Sequence, residues 1–175
     1  MTNMVGHAIA ETVGTADFAT FYARHHASTL AVVLALRGSD VPAEEIVQEA
    51  FLVAYRRWDD VAGMDRPDLW VHRVALNAAT SRLRRLAAET RALTRLAGRR
   101  DAEATGVPPL ADDDVRFWAT VRRLPRAQRE AVALHYAADL PVADVATVLG
   151  CPEGTVKSRL HAARERYAAL IAEER

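Results

Sequence analysis

The apolar residues of this 175-residue chain recur at helical spacing in two blocks, and a stretch unsuited to a long helix separates the blocks. This stretch, 89–114, contains Gly98, Gly106 and the Pro108–Pro109 pair. Because about 25 residues are too many for a connection inside one compact domain, we interpret it as a flexible linker. The sequence therefore predicts an all-α fold of two small helical domains, 17–89 and 114–175, with an N-terminal tail 1–16 and a linker 90–113.

The composition agrees with a helical protein of the cytoplasm. Alanine occupies 35 positions and aromatic residues only 6%, which favours helices over an all-β fold. No apolar run approaches the roughly 20 residues of a membrane helix, and the first 14 residues lack the pattern of a secretory signal. The one cysteine, Cys151, excludes an internal disulfide and agrees with a reducing compartment.

Glycine and proline residues at helix boundaries divide each block into helices. In the first block we expect a helix from about Asp17 to Gly38, a second from Pro42 to about Trp58, and a third from Pro67 to about Ala88. A loop, Asp59–Arg66, precedes the third helix. In the second block the expected helices are 115–123, 126–138, 142–149 and 153–172.

The second block contains the spacing of a helix-turn-helix. Ala146 allows two helices to cross closely, Gly150 makes the turn, and Val156 anchors the second helix on the first. On a helical wheel the last helix has one apolar face: Val156, Leu160, Ala163, Tyr167 and Leu170. The opposite face is small and polar with flanking cations, which suits contact with base edges and phosphates. A helical hairpin without DNA remains the alternative for this segment.

Two helices of the first block carry unusual surfaces. The second helix is apolar on several sides, so it is either central in a bundle or in contact with a partner protein. The third helix carries a polar stripe at i, i+4, i+7 and i+11, namely Arg73, Asn77, Thr80 and Arg84. Arginines beside an amide and a hydroxyl suit nucleic acid, and a solvated helix face is the alternative.

Three segments together resemble a known family. The stretch LPRAQRE (124–130) followed by ATVLGCPEGTVKSRL (146–160) resembles region 4 of the extracytoplasmic-function (ECF) sigma factors of the sigma-70 family. AEEIVQEAFLVAYRRW (43–58) resembles region 2.2, and LWVHRVALNAATSRLRR (69–85) resembles regions 2.3 to 2.4. All three occur in the family's order. The resemblance implies an alternative sigma factor, with a region 2 bundle and a region 4 helix-turn-helix, that directs core RNA polymerase to specific promoters and helps to open them.

The resemblance also implies roles for individual residues of the first domain. It places the contact with core polymerase on the second helix, which we assign to Gln48, Glu49, Leu52, Tyr55 and Arg56. It places the −10 element on the loop and the third helix, with candidate residues Asp59, Gly63, Met64, Arg73, Asn77, Thr80 and Arg84. The loop corresponds to the family segment that shapes a pocket for a flipped-out base.

In the second domain the resemblance places the −35 element on the last helix. The candidate residues are Thr155, Lys157, Ser158, Arg159, His161 and Arg164. Ala162 stands where many members carry an arginine, which removes a base or phosphate contact. The chain carries 9 basic and 11 acidic residues up to Thr90, and 10 and 7 from Val115. Because neither domain is strongly basic, we expect a free monomer that binds DNA poorly without polymerase, and an anti-sigma factor as a further partner.

Nothing in the sequence points to an enzyme, a cofactor or a metal site. There is no glycine-rich phosphate loop and no HExxH motif. The adjacent His25 and His26 diverge by about 100° on a helix, so a packing or surface role suits them better than shared metal ligation. Two alternatives to a sigma factor stay open. One is a self-sufficient helix-turn-helix regulator with an N-terminal dimerisation or sensing domain, and the other is a helical adaptor that binds protein only.

Overall fold

The computed structural model describes residues 3–37, 42–94 and 112–173, and all regular structure in these ranges is helical. The helices of the first half are α1 (Asn3–Arg37), α2 (Ala43–Arg56), α3 (Trp58–Ala62) and α4 (Pro67–Thr94). Those of the second half are α5 (Asp112–Arg122), α6 (Arg126–Val132), α7 (Val142–Leu149) and α8 (Glu153–Glu173), with a π-helical turn, Ala133–Ala137, after α6. The predicted all-α class with two helical halves is confirmed.

Several boundaries differ from the prediction. α1 begins at Asn3 rather than near Asp17, because single glycines such as Gly14 weaken a helix without breaking it. The loop predicted for 59–66 begins as a helical turn, α3. α4 extends to Thr94 and α5 begins at Asp112, so most of the predicted linker, 90–113, lies outside the described residues.

The first half is built around α2. One side of this helix is buried against α1 and α4, and its buried residues are Ala43, Ile46, Val47, Ala50, Phe51 and Ala54. Phe51 lies at the centre, with Phe21 and Tyr22 of α1 at ring-centroid distances of 5.9 and 4.9 Å. Trp70 is half-buried beside this core, as expected for a packing residue, and the guanidinium of Arg57 lies 5.8 Å from its ring.

The second half contains the predicted helix-turn-helix. α7 ends at Gly150, which adopts the left-handed conformation (φ 63°) that closes the turn. The N–H of Cys151 donates to the carbonyl oxygen of Ala146 at 3.1 Å, which completes a Schellman motif. Val156, Leu160 and Ala163 of α8 are buried and Tyr167 and Leu170 pack beside them, so the predicted apolar face is confirmed.

The two halves share one of two apolar cores, and the other core surrounds Phe51 in the first half. Val32 and Leu36 of α1 and Leu69 and Leu76 of α4 belong to the same buried cluster as the core of the second half. α1 packs against α5 and the π-helical turn, and α4 packs against α7. The described parts of the chain include no helix with the length and apolar character needed to cross a membrane.

Candidate nucleic-acid and protein interfaces

The outward face of α8 is polar and open to solvent. The candidate residues Lys157, Ser158, His161 and Arg164 are exposed, and Thr155 and Arg159 are half-buried at its edges. Since Val156 and Leu160 hold the opposite face in the core, this surface is presented on a rigid helix. Such a helix can enter a major groove with its first two turns towards the bases.

Three polar side chains near the start of this face have neighbouring partners. Lys157 Nζ lies 3.8 Å from Glu153, and His161 Nε2 lies 3.5 Å from Glu165. Arg159 donates to the Sγ atom of Cys151 at 3.7 Å, so the thiol packs beside this face of α8. Because the Lys157–Glu153 ion pair is exposed and long, a phosphate can replace this glutamate at small cost.

An aromatic residue that the sequence did not single out completes this surface. Arg164 donates to the hydroxyl oxygen of Tyr136 at 3.2 Å, and the Tyr136 side chain, on the π-helical turn, is about half exposed. No signal in the sequence distinguishes Tyr136, because its partner lies 28 positions away on another helix.

The polar stripe of α4 is only partly exposed. Asn77 points to solvent, and Arg73 is exposed yet donates to two backbone carbonyls of α7. Thr80 is buried, so its place on an exposed stripe is corrected. It lies one turn beyond Leu76, on the edge of α4 that faces the shared core. The side chain of Arg84 lies outside the described residues.

The segment before α4 offers a small polar surface. Asp59, on α3, and Gly63 are exposed, and Met64 is half-buried. The N–H of Met64 donates to the carbonyl oxygen of Val61 at 3.1 Å, and Val61 itself is fully buried. Anchoring by Val61 gives this short connection a defined shape in front of α4.

The outer side of α2 is an exposed surface with an apolar centre. All five candidate contact residues, Gln48, Glu49, Leu52, Tyr55 and Arg56, are exposed. Leu52 and Tyr55 expose 46% and 49% of their surface, as much as the other large exposed apolar residues of the described chain. The Tyr55 ring packs edge-on against Phe18 at 5.0 Å, which fixes its orientation. An oriented apolar patch with a polar rim is typical of a protein-binding site.

An ion pair that involves Arg66 links the two halves. Arg66 forms a two-pronged ion pair with Asp68 and a further ion pair of 2.8 Å with Asp144 of α7. The hydrogen bonds to Asp68 and Asp144 raise the pKa of Arg66 further above its usual range. Burial raises the pKa of Asp68, but the hydrogen bonds and charge of Arg66 outweigh burial and hold it below its ordinary value.

Histidines near this junction are packed rather than clustered as ligands. His72 is buried and burial lowers its pKa to about 4, so it is neutral near neutral pH. His26 pairs with Glu44 at 2.9 Å, and the His25 ring packs on Phe21 at 4.8 Å. Among the side chains that the structure describes, no group of three His, Cys, Asp or Glu residues is arranged to hold a metal ion.

Comparison with known proteins identifies both halves. Residues 21–89 match the family model "Sigma-70 region 2", and residues 114–166 match "Sigma-70, region 4". Among solved structures, the sigma factor RpoE of Bartonella quintana, in complex with the anti-sigma factor NepR, has a similar fold, with a TM-score of 0.71 and 24% identity over 91% of this chain and 99% of that one.

Curated relatives agree over most of the chain. The ECF RNA polymerase sigma factor SigM of Mycobacterium tuberculosis is 32% identical over 88% of this chain and 76% of its own length. The ECF RNA polymerase sigma-E factor of Escherichia coli is 30% identical over 72% of this chain and 71% of its own length. With both regions matched in order and relatives of this similarity, the chain belongs to the ECF RNA polymerase sigma factors.

Proposed function

We propose that this sigma factor binds its partners through three separate surfaces of the chain. As a member of its family it is an alternative sigma factor that directs core RNA polymerase to promoters. In our proposal the outer side of α2 binds the polymerase, α4 and the segment before it bind the −10 element, and α8 reads the −35 element.

The observation that carries this division is the coexistence of two exposed surfaces of different chemistry. The α8 face is polar and basic, whereas the α2 surface has Leu52 and Tyr55 at its centre. A self-sufficient DNA-binding regulator has no need of such a second surface unless it dimerises through it. A factor that acts only on a polymerase needs both surfaces.

The −10 assignment depends most on Asn77. Its amide is exposed on α4 and can both donate to and accept from a base edge. Asp59, Gly63 and Met64 lie on the segment that leads into this helix, where an extruded base needs a pocket to offset the lost stacking. Arg73 is assigned a phosphate contact.

Further partners and the compartment follow from the same proposal. An anti-sigma factor is the expected regulator, because the matched Bartonella quintana protein was solved with one. We assign the protein to the cytoplasm, since sigma factors act on cytoplasmic RNA polymerase. We expect it to be a monomer when it is not bound to a partner. The family is not known as an enzyme family, and we propose a non-catalytic role here.

In vitro transcription tests the proposal directly. Core RNA polymerase from a related bacterium is incubated with a promoter library, with and without the full-length protein, and the 5′ ends of transcripts are sequenced. Start sites that appear only with the protein, preceded by common −10 and −35 sequences, are the expected result. Their absence, together with tight binding of the free protein to palindromic DNA, would support a self-sufficient regulator instead.

A further inference from the structure

We infer that one edge of the proposed −10 face of α4, the edge that carries Arg73, is an intramolecular docking surface, and that α7 of the same chain occupies this edge in the free protein. The docking itself does not depend on the proposed function. The consequence, that docking competes with DNA, rests on the proposed binding of the −10 element by α4. The occupant is defined by the structure, because α7 packs against α4 and arginines hold both ends of α7.

The first arginine holds the beginning of α7. Asp144 lies in the first turn of α7, where a carboxylate is favoured by the helix dipole. Its carboxylate lies 2.8 Å from Arg66 and is mostly buried, with 18% of the side chain exposed. Arg66 is oriented for this contact by its two bonds to Asp68, so the ion pair forms without ordering a free side chain.

The second arginine holds the end of α7. Arg73 donates from Nε to the carbonyl oxygen of Val148 at 2.9 Å and from its terminal nitrogen to that of Thr147. The carbonyls of a last helical turn lack partners within the helix, and the negative end of the dipole attracts a cation there. The guanidinium approaches so closely that a Cβ on Gly150 would lie 3.1 Å from it.

Apolar burial supports the two polar contacts. Leu69 and Leu76 of α4 are 4% and 5% exposed, and both belong to the buried cluster that includes Val145 and Val148 of α7. Leu69 and Leu76 lie two turns apart on one edge of α4. If α7 left this edge, apolar surface of the cluster would be exposed to water, which disfavours the open state.

Docking of α7 and binding of the −10 element compete for one side chain. Arg73 donates its Nε–H and one terminal N–H to the α7 carbonyls, so a DNA phosphate cannot accept from these two groups while α7 is docked. In our inference the helix-turn-helix leaves α4 when a phosphate takes over these two hydrogen bonds. The free chain is closed on itself through its own contacts, without an inhibitor.

Small-angle X-ray scattering of the free full-length protein tests the docking. We expect a compact wild-type particle, and a larger radius of gyration for Asp144→Arg, which places two guanidinium groups against each other. Asp114→Arg is the matched control: Asp114 holds the same third position of α5, is exposed, and forms no ion pair with any side chain that the structure describes. An extended wild-type particle, or equal radii for wild type and Asp144→Arg, would overturn the inference.

A charge swap separates loss of docking from loss of folding. The double variant Arg66→Asp with Asp144→Arg restores opposite charges across the interface and is expected to return the radius of gyration to the wild-type value. Far-ultraviolet circular dichroism is recorded for every variant and is expected to be unchanged. A double variant as expanded as Asp144→Arg would show that the ion pair does not hold α7 in place.

Binding of a single-stranded −10 oligonucleotide tests the consequence. The apparent affinity for the oligonucleotide is proportional to the fraction of the protein that is open and able to bind it. Complete opening of a chain that is about nine-tenths closed therefore raises this affinity about tenfold. We expect this gain for Asp144→Arg and none for Asp114→Arg. If Asp144→Arg expands without any gain, the docking stands and the assignment of α4 to the −10 element is wrong.

Discussion

Arg73 of α4 and Val148 of α7 lie 75 positions apart in sequence, yet the Nε atom of the arginine donates to the carbonyl oxygen of the valine at 2.9 Å. The contact joins the polar stripe proposed for the −10 element to the first helix of the helix-turn-helix. It gives the N–H groups of Arg73, which suit a DNA phosphate, hydrogen-bond acceptors while DNA is absent.

Asn77→Ala is expected to slow open-complex formation about tenfold, because one good base-edge contact contributes about 1–3 kcal/mol. Holoenzyme formation should be unchanged, since Asn77 is exposed on α4 and is not one of the α2 residues assigned to the polymerase contact. Permanganate footprinting of the −10 region measures the effect. Ser81→Ala, an exposed polar position one turn further along α4, is the control, and equal rates for the two variants would contradict the role of Asn77.

Lys157→Ala is expected to weaken holoenzyme binding to −35 DNA of any sequence and to reduce the salt slope of log K by about 1, as for one lost phosphate contact. Glu153→Gln should strengthen binding, because it removes the carboxylate 3.8 Å from Lys157 Nζ. Fluorescence anisotropy over a range of salt concentrations measures both. An unchanged slope for Lys157→Ala would remove this residue from the interface.

Leu52→Ala is expected to weaken the affinity for core polymerase about tenfold, because fully burying a leucine side chain contributes about 1.5–3 kcal/mol and alanine forfeits most of it. Val115→Ala is a matched control, since Val115 is 47% exposed against 46% for Leu52 but lies on α5. Competition for core polymerase against a labelled wild-type protein gives both affinities. If both variants lost the same affinity for core polymerase, the polymerase contact would not lie at Leu52.

The free energy of unfolding is expected to fall between about pH 6.5 and 4. Burial lowers the pKa of His72 from 6.5 to about 4, so the unfolded chain binds a proton that the folded chain excludes over this range. The full loss amounts to about 3 kcal/mol at 1.36 kcal/mol for each pKa unit. Urea unfolding at a series of pH values measures it, and His72→Leu should flatten the profile. A similar profile for that variant would assign the dependence to other groups.

Gly150→Ala is expected to destabilise the protein by about 1–2 kcal/mol, because alanine disfavours the left-handed conformation. The φ angle there is 63°, and a Cβ would meet Arg73 at 3.1 Å. Gly154→Ala is the natural comparison, since nothing lies within 4 Å of a Cβ there and alanine favours a helix. Thermal unfolding should show opposite shifts for the two variants.

Much of the site was predictable because it depends on local patterns. Val156, Leu160 and Ala163 repeat at helical spacing, so their burial and the exposure of Ser158 and His161 on the opposite face follow from the geometry of one helix. The Gly150 turn was predictable for the same reason, because few other residues tolerate its φ angle.

Residues at the junction of the halves were not predictable in this way. On a wheel, Thr80 lies in line with Arg73 and Asn77, but it is buried because a neighbouring part of the chain covers that edge of α4. The sequence pattern did not indicate the contacts of Asp144 and Tyr136, since their partners, Arg66 and Arg164, are remote in sequence. A charged or aromatic residue has the same sequence pattern whether or not it has such a partner.

The amino-acid sequence alone determined most of the helices, their inward faces and the resemblance to the family, because periodicity, turn residues and motif order act over short stretches of chain. The tertiary structure alone decided that the halves close on each other and that Arg66 and Arg73 hold α7. Such contacts depend on how two separate surfaces meet in space, and the spacing of residues along either surface does not contain that information.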